Sequence, residues 1–150
     1  MSEIQQHVIF SINEQIYGIE ILKIKEVVSY QKITPLPNMR GFIKGIINLR
    51  GIILPVFDLR GKFNLPETTY TRFHIIIVME ISGRVVGVIV DEISDVVELL
   101  SEEVQAPSNL PPDAQAEYIK GIGEKEHELI ILLDVDRLLS PEELEILDGA

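Results

Sequence analysis

The chain has 150 residues, 46% of them apolar and 25% charged, which is enough for one domain or two small ones sharing a core and excludes a disordered chain. It holds no cysteine, so disulfides and thiolate chemistry are excluded, in keeping with a reducing cytoplasm. A net charge of −11 repels phosphate backbones, and nucleic acid is not an expected partner.

With 24 Ile and 13 Val, the composition favours pleated surfaces over helices. Val8 to Ile12 predicts a strand, Asn13-Glu14 a turn and Ile16 to Ile21 the returning strand. In "IEILKIKEVV", Ile21, Ile24, Val27 and Val28 fall near a helical stripe, predicting one or two turns of helix. "ITPLPNMRG" is an extended, proline-restricted stretch. "GIINL" and "IILPVFDL" are strands on either side of Asn48-Leu49-Arg50-Gly51, and "PET" is a connection. "FHIIIVMEI" and "RVVGVIVDEI", joined by Ser82-Gly83, form the clearest hairpin. "APSNLPPDA" is a loop, and "ELIILLDVDRLL" a strand entering a short helix. "SPEELEIL" starts a last helix, with Ser140 as its cap, Pro141 in its first turn, and Glu142 and Glu143 at its positive end.

The sequence repeats itself. "YGIEILKIKEVV" matches "VGVIVDEISDVV", so that Gly18 meets Gly87, Ile24 meets Ile93 and Glu26 meets Asp95. "FIKGI" matches "YIKGI", and "ILPVFDL" matches the segment around "IILLDV", with Asp58 against Asp134. These collinear matches predict an internal duplication, about 8–63 and 73–139, within one domain spanning 1–150. Each copy has the size of a small β-barrel, marginal alone, so two would share one apolar core and could exchange strands. The copies differ at one turn. Asn48-Leu49-Arg50-Gly51 is replaced by Glu124-Lys125-Glu126-His127, so Arg50 is not required merely to close a hairpin.

Enzyme chemistry finds no support. His7, His74 and His127 lack ligand spacing with carboxylates, so no metal or other cofactor is expected. There is no G-x-S-x-G elbow, P-loop or dinucleotide fingerprint. Asp91, Glu92 and Asp95 are expected to be solvated on a turn. Charge is uneven: residues 1–75 hold nine Lys and Arg against six Asp and Glu, and residues 76–150 hold four against 18. A solvating acidic surface is the first meaning of that imbalance. What remains is a surface. If the copies pack together, Ile21, Ile24 and Val27 face Ile93 and Val96 at the junction, in an apolar groove rimmed by charge that suits a partner helix, with Arg50 in reach of Glu26. No apolar run approaches the roughly 18 residues of a membrane span. The start "MSEIQQHVIF" is unlike a signal peptide, and the expected location is cytoplasmic.

The segments "YGIEILKIKEVV", "ITPLPNMRGFIKGIINLRGIILPVFDLRGKF" and "RVVGVIVDEISDVVEL" closely resemble the CheW family of chemotaxis coupling proteins, and the likeness covers nearly the whole chain. The resemblance implies a mainly β fold of two small SH3-like five-stranded barrels around a shared core, with short helices including one at the C-terminus. It implies a scaffold without catalysis, joining methyl-accepting chemoreceptors to the histidine kinase CheA, whose regulatory domain has the same double-barrel fold. Recruitment to membrane-associated receptor arrays, without membrane insertion, follows from it. By that likeness the receptor tip lies between the barrels against Val8, Ile21, Ile24, Val27 and Ile93, with Glu26 and Arg50 at the same site. Lys44 and Gly45 match the kinase contact, and Asn109 and Leu110 match a loop implicated in closing rings of kinase and adaptor.

Overall fold

The first expected hairpin forms as β1 (Ile4–Ile12) and β2 (Gln15–Glu20) in a computed structural model that describes residues 3–37, 43–112 and 116–148. Residues 38–42, which carry the end of "ITPLPNMRG" and Phe42 of "FIKGI", and residues 113–114 of "APSNLPPDA" lie outside the described residues. Four hairpin turns share one geometry: Asn13-Glu14, Arg50-Gly51, Ser82-Gly83 and Glu126-His127 all have positive φ at both positions. Such turns match the right-handed twist of the strands they join.

The helix expected over Ile21 to Val28 is not there. Ile21–Lys23 make a single 3-10 turn, and β3 (Ile24–Ser29) follows as a strand on β6 (Ile75–Ile81). Its β-branched residues suit the sheet. The remaining strands are β4 (Ile43–Leu49), β5 (Ile52–Asp58), β7 (Arg84–Val90), β8 (Glu92–Leu100), the short β9 (Val104–Gln105), β10 (Ile119–Lys125) and β11 (Glu128–Leu133). The expected last helix is α1 (Pro141–Leu147). Ser140 Oγ accepts from the Glu143 amide at 3.1 Å, and the Glu143 carboxylate accepts from the Ser140 amide at 2.7 Å, a closed capping box.

Two sheets form, ordered β8-β1-β2-β11-β10-β9 and β3-β6-β7-β5-β4. They correspond strand for strand, as β8 to β3, β1 to β6, β2 to β7, β11 to β5 and β10 to β4. β9 has a counterpart in the isolated bridge of Thr34 to Ile46 beside β4. Each sheet therefore mixes the halves of the sequence: β1 and β2 join β8, β10 and β11, while β6 and β7 join β3, β4 and β5. The seams are the two parallel pairings, β2 with β11 at Gly18–Leu132 and β7 with β5 at Gly87–Val56.

Three apolar clusters fill the molecule. Within the second sheet, Val28 of edge strand β3 and Ile47 and Leu49 of the opposite edge β4 meet around Leu54, Val56 and Ile76, so the sheet curls on itself. Within the first, Val97 of β8 and Val104 of β9 meet around Ile9, Leu99, Ile130 and Leu132. The largest cluster lies between the sheets and takes Phe10, Ile12, Phe57, Met79, Val88, Leu133 and Leu138, with Leu144 and Leu147 of α1 packed on it. The mainly β, two-barrel fold with a shared core and a C-terminal helix is the one expected.

Candidate functional site

The site residues are placed by two β-bulges. In β3, Lys25 is extra: Ile24 pairs with Met79 and Glu26 with Val78. In β8, Ser94 is extra: Ile93 pairs with Phe10 and Asp95 with Ile9. The extra residue resets the alternation of faces. Ile24 and Val27 therefore lie opposite Met79 and Ile77, both of the shared core. Ile93 lies opposite core residue Phe10, and Val96 opposite Val8 on the same face of β1. Ile24 and Ile93 are half-buried against the shared core, and Val27 and Val96 remain 46% and 47% exposed. Val8 is buried between Ile19 and Val96. Ile21, whose carbonyl accepts from the Ile24 amide, borders a hollow of about 380 Å³ with Ile4, Leu22 and Glu98.

The same bulge turns Glu26 to the barrel side of β3, opposite Val78. There the Arg50 guanidinium donates to its carboxylate. Arg50 sits in the β4–β5 turn at φ 51°, and the turn is fixed by the Gly51 amide donating to Asn48 Oδ1 at 2.8 Å. The pair spans the mouth of the barrel, from a hairpin tip to the far edge strand. The Arg50 side chain is 70% exposed, so the pair is solvated at one end.

Lys44 and Gly45 form a third bulge, at the start of β4. Lys44 reaches Glu67 at 3.8 Å. Gly45 is buried with φ +148°, and a Cβ on it would lie 2.2 Å from the Thr34 carbonyl oxygen. Asn109 ends a 3-10 turn, Pro107–Asn109, and its side-chain amide donates to Gln105 Oε1 at 2.7 Å. Leu110, half-buried, donates its backbone amide to the Pro107 carbonyl at 2.9 Å. The two pairs therefore sit at corresponding edges of different sheets, beside Thr34 and beside β9. Gly45→Ala should cost about 2–4 kcal/mol through strain and overlap with fixed backbone. Gly51→Ala, with nothing within 4 Å of its Cβ, should cost about 1 kcal/mol. Thermal unfolding of the two variants measures the difference, and equal losses would refute the close approach at Thr34.

Asp91 keeps a quarter of its side-chain surface exposed, but its carboxylate is held by neighbouring groups instead of standing free on a turn. It accepts from Arg60 Nη2 at 2.6 and 2.7 Å and from the Asn13 amide at 2.8 Å. Arg60, 5% exposed, also meets Asp58, 1% exposed, whose Oδ2 accepts from Tyr70 Oη at 2.6 Å. His74 Nδ1 accepts from the Thr71 amide at 3.0 Å, and its Nε2 lies 3.2 Å from Asp91 Oδ1. Burial opposes ionisation of Asp91, but hydrogen bonds from Arg60 and the Asn13 amide hold its carboxyl below the usual range. Burial and the bond to Asp58 push the Tyr70 hydroxyl well up. The network ties the β1–β2 turn, the β7–β8 corner and the connection after β5 into one unit. Asp58 and Arg60 are two residues apart, but Asp91 lies 31 residues beyond Arg60, so the three form no sequence motif; the one signal was Asp58, a carboxylate ending an apolar run in each repeat.

The sequence from residue 6 to 143 matches the family model of the CheW-like domain. The chain belongs to the CheW-like family. A chemotaxis protein CheW of Klebsiella aerogenes is 38% identical, over 97% of this chain and 87% of that protein. A CheW of Bacillus subtilis is 34% identical, over 92% and 88%. The crystal structure of the scaffolding protein TtCheW from Thermoanaerobacter tengcongensis superposes with a TM-score of 0.84 at 31% identity, covering 94% of this chain and 97% of that one. A chemotaxis adaptor of the CheW-like family is thus the coarse function. Among the described residues no helix is long and apolar enough to cross a membrane.

Proposed function

We propose that this protein is a non-enzymatic scaffold that couples methyl-accepting chemoreceptors to the histidine kinase CheA in membrane-associated arrays. The observation that supports it most is the pair of bulged edge strands. β3 and β8 each offer one apolar residue rooted in the shared core and one half exposed beside it. A helical receptor tip laid along them would cover Val27 and Val96 and meet Ile24 and Ile93, with Val8 beneath as support. Glu26 and Arg50 stand at the barrel mouth and would set the register of the tip through a directional ion pair. Lys44, on the bulge that Gly45 permits, and the turn carrying Asn109 and Leu110 are assigned to the kinase regulatory domain, on separate sheets.

Backbone NMR of the chain titrated in turn with an isolated receptor tip and an isolated kinase regulatory domain tests the reading. Separate sets of shifts are expected, the receptor's on β3 and β8 and the kinase domain's at the two sheet edges beside Thr34 and beside β9. A single shared patch would make the partners competitors and end the coupling role. Arg50→Ala should reduce kinase activation in reconstituted arrays several-fold. The fold should lose no more than about 1 kcal/mol, because exposed pairs contribute little to stability. Full activation by the variant would show that Arg50 is only a turn residue.

A further inference from the structure

The two barrels have corresponding mouths, and only one is closed. In the second sheet Leu49 packs into the barrel interior and Arg50 reaches across to Glu26. In the first sheet the corresponding turn places Lys125 where Leu49 stands and Glu126 where Arg50 stands. Asp95 stands in the place of Glu26, after the same kind of bulge. Lys125 does not fill the interior; its ammonium lies 3.3 Å from both oxygens of Glu103. Glu126 and Asp95 have like charge and cannot form the clasp. A cavity of about 500 Å³ is left, with Ile9, Val96, Val97 and Ile130 lining it and Lys125 set among the carboxylates of Asp95, Glu98, Glu126 and Glu128.

We propose that this open mouth is a docking site for a segment of a partner protein that inserts one bulky apolar side chain and sets an adjacent Lys or Arg against the carboxylates. The volume falls in the range of small-ligand sites. The apolar wall gives nothing to a bare hydrated cation, and the carboxylates reject an apolar segment that carries acids. A side chain of leucine size would take the place that Leu49 holds in the other barrel. The cation would stand to Asp95, whose Oδ1 already accepts from the Val96 amide, as Arg50 stands to Glu26. The site borders the proposed receptor face at Val96 and shares no other receptor or kinase residue assigned above.

The test is NMR titration of the isotope-labelled full chain with a synthetic peptide, Gly-Leu-Arg-Leu-Arg-Gly, and with its counterpart in which both arginines are glutamates. Saturable shifts confined to the amides of Val96, Val97, Lys125 and Glu126 are expected with the arginine peptide only, weakening as salt is added. Lys125→Leu with Glu126→Arg transplants the plug and clasp of the other barrel and should weaken binding at least tenfold. Asp95→Asn with Glu126→Gln keeps the shape, guards against a folding artefact of the first variant, and should weaken it several-fold. No saturable shift, equal response to the acidic peptide, or full binding by the charge-neutral variant would overturn the proposal. So would the same shifts arising from the protein alone as its concentration rises, because a second copy would then be the occupant.

Discussion

Arg60→Ala should lower the free energy of unfolding by about 3–5 kcal/mol, the range for stripping one partner from a buried charge network. For a chain of this length that is a fall of roughly 6–20 °C in Tm. Asp58 and Asp91 would both lose their guanidinium, and Asp58, at 1% exposure, has no water to replace it. Removing Arg60 and Asp91 together should cost less than the sum of the single losses, because the two share one interaction. The acid limb of stability carries the same signature. Asp91 titrates below its ordinary value of 3.8, so its contribution is complete above that value and is lost as pH falls through the lower, folded one. Asp91→Asn should therefore flatten the decline in unfolding free energy below about pH 4 relative to the parent chain. Denaturant unfolding across that window measures it, and an unchanged slope would remove Asp91 from the network's energetics.

Val27→Glu and Val96→Glu should each weaken binding of an isolated receptor tip by about 2 kcal/mol, or roughly 30-fold, while leaving kinase-domain binding intact. Both side chains are nearly half exposed, so the folded state tolerates the carboxylate. Ile24→Glu is a poorer probe. Its side chain packs on the shared core, and lost binding would mix with lost stability. The pairing makes the test specific: the two valines lie on different sheets and in different halves of the chain. An effect at Val27 alone would place the receptor on one barrel only. Unchanged affinity in both variants would sink the assignment of β3 and β8 to the receptor.

The strands, hairpin turns and last helix were legible because each follows a local rule. Apolar runs on either side of Ser82-Gly83 marked β6 and β7, paired positions with positive φ closed the hairpins, and Ser140 with Glu143 capped α1. β3 was misread for a specific reason. The extra residue Lys25 returns Ile24 and Val27 to one face of a strand, and that i, i+3 spacing is also the spacing of a helix. Matched segments led to the reading of a repeat, but sheet membership was not legible, since pairing between β2 and β11 depends on contacts over 100 residues apart. The pair of Glu26 with Arg50 was within reach of a guess because the repeat isolated Arg50. The Asp58–Arg60–Asp91 network was not, because nothing local distinguishes a buried aspartate at a corner from a solvated one.

The exchanged strands bear on how the chain comes to exist. The first sheet begins with β1 at the N-terminus and is not complete until β10 and β11 are made; the second needs β6 and β7 before β3, β4 and β5 can close around a core. During synthesis the first half therefore waits, with its hairpins formed and their apolar faces uncovered, until the second half leaves the ribosome. Nor can the gene be cut at its midpoint into two independent single-barrel proteins. Each fragment would carry strands belonging to both barrels, and the halves would have to find each other to recover either one.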